Sequence, residues 1–172
     1  MKKILIISDT HGHLDDKLLK YIEQVNEVWH GGDIGDIEVC RKIEKMKPLR
    51  AVWGNIDGAE FRSEYKEHLI FNCEDVKVYI THIGGYPGKY YPKAKPFIQS
   101  EKPHLFICGH SHILKVMFDK ENNLLHINPG AAGVHGFHKV KTAVRLQIEG
   151  KEMKNLEVIE LGPRAGKESS ML

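Results

Sequence analysis

Ile4-Leu5-Ile6-Ile7-Ser8-Asp9-Thr10-His11-Gly12 is the stretch that decides the fold. The run from Lys3 to Ile7 is apolar without alternation, which suits a strand buried on both faces, and Ser8 to Gly12 follows it as a polar loop. A helix comes next: Leu14, Leu18, Leu19, Ile22 and Val25 recur at helical spacing, with Asp15 and Asp16 where the macrodipole favours them. Glu27 to His30 is a second short strand, closed by Gly31-Gly32-Asp33. Asp36 can cap a second helix with Ile37, Cys40, Ile43 and Met46 inside, ended by Pro48, and Leu49 to Trp53 is a third strand broken by Gly54-Asn55-Ile56-Asp57-Gly58. Such alternation predicts right-handed crossovers and a parallel sheet. Its loops should gather at the carboxyl ends of the strands, where open sheets bind ligands.

The second half reads differently. His68 to Cys73 and Val76 to Thr81 form a hairpin that delivers His82 into Ile83-Gly84-Gly85. A short helix is expected over Ala94 to Ser100, ended by Pro103, and Leu105 to Cys108 is a strand running into Gly109-His110-Ser111-His112. Val116 to Asp119 pairs with Leu124 to Ile127, Asn128-Pro129-Gly130 makes a loop, and Ala143 to Ile148 pairs with Leu156 to Leu161. The expected class is therefore α/β (α+β), with two stacked mixed sheets flanked by helices. One domain over 1–162 is expected, followed by a loose C-terminal tail over 163–172.

Composition narrows the function. The formal net charge of +2, with no basic block, gives no nucleic-acid surface, and no apolar stretch is long enough to span a bilayer. Met1-Lys2-Lys3 leads straight into a strand, unlike a signal peptide, and Cys40, Cys73 and Cys108 are too scattered for a disulfide framework or a Cys-x-x-Cys zinc site. A cytoplasmic protein with free thiols is expected. Eleven of the 172 residues are histidine, an excess that prompts a search for ligands.

Taken singly, each polar motif has a bland reading as a helix cap, a tight turn or a strand-end histidine. Together, Asp9, His11, Asp33, Asn55, His82, His110 and His112 all follow apolar runs. Two carboxylates, one amide and four imidazoles suit Mn²⁺, Zn²⁺ or Fe²⁺ rather than a thiolate-loving ion. Seven donors exceed what one ion needs and fit two.

Asp9-x-His11, Gly32-Asp33, Gly54-Asn55-x-Asp57, His82 and Gly109-His110-x-His112, in that order, resemble the calcineurin-like metallophosphoesterase superfamily, and most of all its small bacterial and archaeal phosphodiesterase branch. The resemblance runs from Lys3 to about Leu161. It implies a four-layer αββα sandwich and a centre of two divalent ions, Mn²⁺ first, with Zn²⁺, Fe²⁺ or Ni²⁺ as alternatives. One ion would take Asp9, His11 and His112, the other Asn55, His82 and His110, with Asp33 bridging. Two ions roughly 3.5 to 4 Å apart can deprotonate a shared water, and the bridging hydroxide then attacks a small or activated phosphodiester in line. The resemblance also implies a possible homo-oligomer, dimer or tetramer. Glycines beside the ligands, Gly12, Gly32, Gly54, Gly84 and Gly109, would let the backbone approach the ions. An extended chain would point His110 and His112 oppositely, so a tight turn after Gly109 must bring both to one cluster, with Ser111 a spacer.

Two departures stand out. Many relatives place a leaving-group histidine directly after the motif Asn, where this chain has Ile56, so low-pKa leaving groups are expected. Relatives often have Ser after Asn-Pro-Gly, where this chain has Ala131. Asp57 could orient a ligand, relay a proton or only close an Asx turn with Gly58, and His135 and His138 are substitute-acid candidates. His30 could hold a ligand in place or simply pack. Tyr86, Tyr90 and Tyr91 could form a substrate wall. The competing function is a non-catalytic protein-binding scaffold, because the retromer subunit of this fold resembles the same branch.

Overall fold

The computed structural model describes residues 1–165. The opening apolar run becomes β1 (Lys2–Ile7), whose Ile4 and Ile6 face one core and Leu5 and Ile7 another. After it come α1 (Asp16–Glu23), β2 (Glu27–His30), α2 (Ile37–Glu44), β3 (Leu49–Ala51) and α3 (Ala59–Glu64). The chain continues with β4 (His68–Cys73), β5 (Val76–Thr81), the short β6 (Gly85–Tyr86) and β7 (Lys89–Tyr90), and α4 (Lys95–Glu101). It ends with β8 (Leu105–Ile107), β9 (Lys115–Asp119), β10 (Leu124–Asn128), β11 (Val140–Glu149) and β12 (Glu152–Pro163).

Two five-stranded mixed sheets result, ordered β12-β11-β1-β2-β3 and β4-β5-β8-β10-β9. The first three strands are parallel, as the βα alternation requires, and β11 joins β1 antiparallel. Ile6, Trp29, Ile80, Ile107 and Val144 pack between the sheets. Leu18 and Ile22 of α1 and Cys40 and Ile43 of α2 cover the outside of the first sheet, and Ile98 of α4 packs with Tyr79 and Phe106 on the outside of the second. Helices therefore flank two stacked sheets. Asp15 and Asp36 cap α1 and α2, each carboxylate accepting a backbone N–H two residues on.

Differences from expectation have local causes. Helix α1 spans less than Leu14 to Val25, because the Asp15 cap sets its start. Val39 is more deeply buried in α2 than Ile37. The six residues of α3 bury only Phe61 and show no period, so nothing marked them as helical. Helix α4 stops where Lys102 turns left-handed, before Pro103. The last hairpin is longer than its apolar alternation, with register shifts at Lys141/Thr142 and Arg145/Gln147 that interrupt the pattern. This also moves the expected tail boundary: Pro163 pairs with Val140 and the Arg164 side chain donates to the His138 carbonyl, while 166–172 lie outside the described residues. Among the described residues no helix is long and apolar enough to cross a membrane.

Candidate metal centre

The loops after β1, β2, β3, β5 and β8 meet at one end of the two sheets. Backbone bonds tie them: Asp9 N–H donates to the Gly32 carbonyl, His11 N–H to Asp33, and Gly109 N–H to His82. Asp9, His11, Asp33, His110 and His112 all have φ between 45° and 71°, the left-handed region that β-carbons disfavour. Five of the nine left-handed non-glycine residues among the described residues are expected ligands, and strain so concentrated is a mark of a built site. The left-handed turns at His110 and His112 also supply the tight turn that the sequence demanded.

Two groups of donors form. Atoms of Asp9, His11 and His112 lie within 4.8 Å of one another, and so do those of Asp33, His82 and His110. Asp33 Oδ2 sits 3.2 Å from His82 Nε2 and 3.6 Å from His11 Nε2, one imidazole from each group. Asp9 Oδ1 lies 3.1 Å from His112 Nε2. Asn55 Oδ1 is 3.0 Å from His110 Nδ1, which brings the amide to the second group. All seven sequence candidates for metal ligation thus converge on one patch.

The remaining atoms of these side chains are occupied in ways that aim the free ones. Asp9 Oδ2 accepts from the Ser8 hydroxyl at 2.6 Å and the His110 N–H at 3.1 Å. Asp33 Oδ1 accepts the Ile56 N–H at 3.1 Å. The His82 Nδ1–H donates to the Gly31 carbonyl at 2.7 Å, which leaves Nε2 as the ring atom that faces Asp33. Asp9 Oδ1, His11 Nε2 and His82 Nε2 are buried without a hydrogen-bond partner. Buried polar atoms this close together and unmatched are costly, and a divalent ion is a partner that fits both their chemistry and their spacing. A Cβ at Gly109 would come within 2.1 Å of Ser8 Oγ and 2.6 Å of Asp9 Oδ2, so the turn comes this near to Asp9 only without a side chain.

Electrostatics agrees. Burial acts to raise the pKa of Asp9, but His112, His82 and the Ser8 hydroxyl outweigh it and the net shift is downward. Asp33 behaves alike, with His82, the Ile56 N–H and His11 overcoming burial. Burial lowers His11 and His110 below the ordinary imidazole value. Both carboxylates are thus held ionised.

Other candidates fall outside the donor groups. Asp57 is buried and its carboxylate accepts three backbone N–H groups, from Gly54 at 2.8 Å, Gly35 at 2.9 Å and Ile34 at 3.1 Å. It makes no Asx turn with Gly58, and it braces the Asp33 and Asn55 loops against each other. His30, fully buried, accepts from Gly32 N–H and donates to the Thr10 hydroxyl, which in turn donates to the Ile34 carbonyl. It locks the loops of Asp9 and Asp33. The Ile56 side chain is half exposed and lines the opening to the centre together with His135, whose ring stands 4.7 Å from that of His11. His138 lines it too, but one ring nitrogen contacts the Gly133 carbonyl and the other is buried. Ala131 is fully buried.

Sequence reading missed the role of Asn128. Its amide donates to the Gly109 carbonyl and to Ser111 Oγ, both at 3.0 Å, and its oxygen accepts Gly130 N–H. Asn128 therefore clamps the turn that carries both histidines. Asn-Pro-Gly after a strand was the available signal.

The protein is similar along nearly its whole length to a probable metallophosphoesterase of Methanothermobacter thermautotrophicus, 23% identical over an alignment of 162 positions that covers 91% of each chain. Among solved structures, a predicted phosphoesterase from Streptococcus pneumoniae superposes with a TM-score of 0.69 at 23% identity, covering 93% of this chain and 90% of that one. Entamoeba histolytica Vps29 complexed with Zn²⁺ superposes at 0.68 and 16% identity, covering 93% and 99%. These likenesses concern the fold. The model of the calcineurin-like phosphoesterase superfamily domain matches residues 1–151, and with the donor set at the loop ends this places the chain in the calcineurin-like phosphoesterase superfamily.

Proposed function

We propose that the chain is a two-metal phosphodiesterase acting on a small or activated phosphodiester. The observation that carries this reading is the seven-donor cluster, with Asp9 Oδ1, His11 Nε2 and His82 Nε2 buried and unmatched at its centre. Asp9, His11 and His112 would hold one ion and Asn55, His82 and His110 the other, with Asp33 between them. When bound, the ions supply a water of lowered pKa and offset the charge of phosphate oxygens. Mn²⁺ is the ion we assign first, since oxygen and imidazole donors without thiolate suit it. The Zn²⁺ complex of the Entamoeba Vps29 keeps Zn²⁺ as an alternative.

Positioning falls to the chain's own residues. Asp33 is held by the Ile56 N–H and His82 by the Gly31 carbonyl, so neither has to reorganise when a substrate arrives. Ile56 offers no proton to a leaving group. His135 lines the same opening and is the better placed of the two substitute-acid candidates, because one nitrogen of His138 contacts the Gly133 carbonyl and the other is buried. Asp57 and His30 act as positioning residues. The three free, buried thiols are compatible with a cytoplasmic location. A homo-oligomer belongs to the same reading, and the edge strand β9, with Val116, Met117 and Phe118 exposed, is where copies would meet.

A protein-binding scaffold is the second reading, favoured by the fully exposed Phe137 and the exposed Ile113 at the rim of the centre. Rates on a diester, a monoester and single-stranded DNA under identical Mn²⁺ conditions separate the readings. The phosphodiesterase reading requires the diester to be the best substrate, and no turnover on any of the three supports the scaffold.

A further inference from the structure

A cleft of about 620 Å³ lies beside the donor cluster and takes no part in the chemistry above. His110, Ser111 and Ile113 line both this cleft and the opening that contains His11, Asp33 and Ile56. A group bonded to a phosphate at the centre therefore has a direct way in.

The cleft floor is the outer face of the second sheet. Pairing of β10 with β9 sets Asn128 beside Lys115 and His126 beside Met117, and the side chains of Leu124, His126 and Asn128 alternate onto that outer face. The β6–β7 hairpin closes it from above, with Lys115 Nζ 4.8 Å from the centre of the Tyr86 ring. Lys89, Lys95 and Lys115 line the cleft and, among the described residues, no carboxylate does. The walls thus offer aromatic rings and positive charge together.

His126 forms the back of the cleft. It is fully buried, its ring lies 5.7 Å from Phe106 and 6.2 Å from Tyr90, and neither ring nitrogen has a hydrogen-bond partner. Burial pushes its pKa down to about 4, so near neutral pH it carries one donor and one acceptor. Its polar neighbours are already matched: the Tyr90 hydroxyl donates to Asp119 at 2.6 Å, and Asn128 clamps the histidine turn. Among the described residues lining the cleft, His126 is therefore the buried side chain with hydrogen-bonding capacity left unused, at a position where leaving it so is costly. An alkyl chain would not satisfy it. A planar ring with a donor or an acceptor on its edge can pair with one of the two nitrogens, and would also stack on tyrosine.

Resting on the phosphodiesterase reading of the metal centre, we propose that this cleft is the subsite for the organic part of the substrate. It takes a planar heteroaromatic group, stacked at Tyr86 and hydrogen-bonded to His126, on an ester whose negative charge the lysines favour.

Two p-nitrophenyl diesters with the same leaving group test this, one carrying a methyl group and one carrying thymidine through its 5′ oxygen. With Mn²⁺-loaded enzyme, kcat/KM for the thymidine ester should exceed that for the methyl ester by about tenfold or more. His126→Phe, and independently the exposed-site variant Tyr86→Ala, should bring the ratio towards one. In the metal-free protein, titration with thymidine should shift the His126 ring nitrogen resonances saturably. Hydrolysis of both esters at equal rates with no movement of the His126 signals would overturn the subsite and leave the phosphodiesterase reading intact. Saturable His126 shifts with neither ester hydrolysed would support the cleft as a heteroaromatic site and count against the phosphodiesterase reading.

Discussion

Asp33 Oδ2 stands 3.2 Å from His82 Nε2, with each side chain fixed from behind, Asp33 by the Ile56 N–H and His82 by the Gly31 carbonyl. The pair joins the loop after β2 in the first sheet to the loop after β5 in the second. The centre therefore spans the sandwich, and neither sheet alone contains it.

Asp33 faces imidazoles of both donor groups, so Asp33→Asn should weaken both ion sites at once. Titration calorimetry with Mn²⁺ should find two ions per wild-type chain and a variant with both affinities reduced. Loss of one ion with the other unaffected would show that Asp33 serves a single site.

Asp57→Asn keeps the shape but replaces an acceptor of three N–H bonds by a group that is half donor. The expected cost is about 2–3 kcal/mol in urea unfolding. Mn²⁺ affinity should also fall, by about 10–100-fold, as for other groups that orient ligands. If Asp57 instead relayed a proton, kcat would fall with stability and metal affinity unchanged.

Ile56→His places an imidazole at the opening to the centre, and the backbone N–H to Asp33 survives the change. Rates should rise by about 10²-fold for esters with high-pKa leaving groups and little for p-nitrophenolate. A variant with unchanged leaving-group dependence would mean that His135 already supplies the proton.

Burial, as the leading cause, holds His30 and His126 at about pKa 4 in the folded chain, against 6.5 when exposed. Between those values the unfolded chain binds protons that the folded chain does not, so stability is full above pH 6.5 and falls as the pH drops towards 4. From pH 7.5 to 4.5 the metal-free protein should lose about 2–3 kcal/mol per histidine as an upper bound. His126→Phe should make the dependence shallower in urea titrations at the two pH values.

Much of the architecture was legible because β1 and the helices after it carry unmixed periodic signals, and because each ligand follows an apolar run whose end the topology fixes. Asp36 as a cap and the His68–Thr81 hairpin could be read from neighbours in sequence. What stayed hidden depends on partners far along the chain. Asp57 reads as a turn residue until the loop of Ile34 and Gly35 is placed beside it. His126 is one polar residue in a strand, and only the closing of β6–β7 and the pairing with β9 show that it backs a cleft. Helix α3 and the β6–β7 hairpin are too short to generate a period.

The most direct test of the two-metal phosphodiesterase reading is hydrolysis of bis(p-nitrophenyl) phosphate by metal-stripped protein titrated with Mn²⁺, for the wild type and His82→Ala. We predict activity that rises to saturation at two Mn²⁺ per chain and falls by about 10²-fold or more in the variant. No turnover by the wild type at saturating Mn²⁺, or equal turnover by the two proteins, would contradict it.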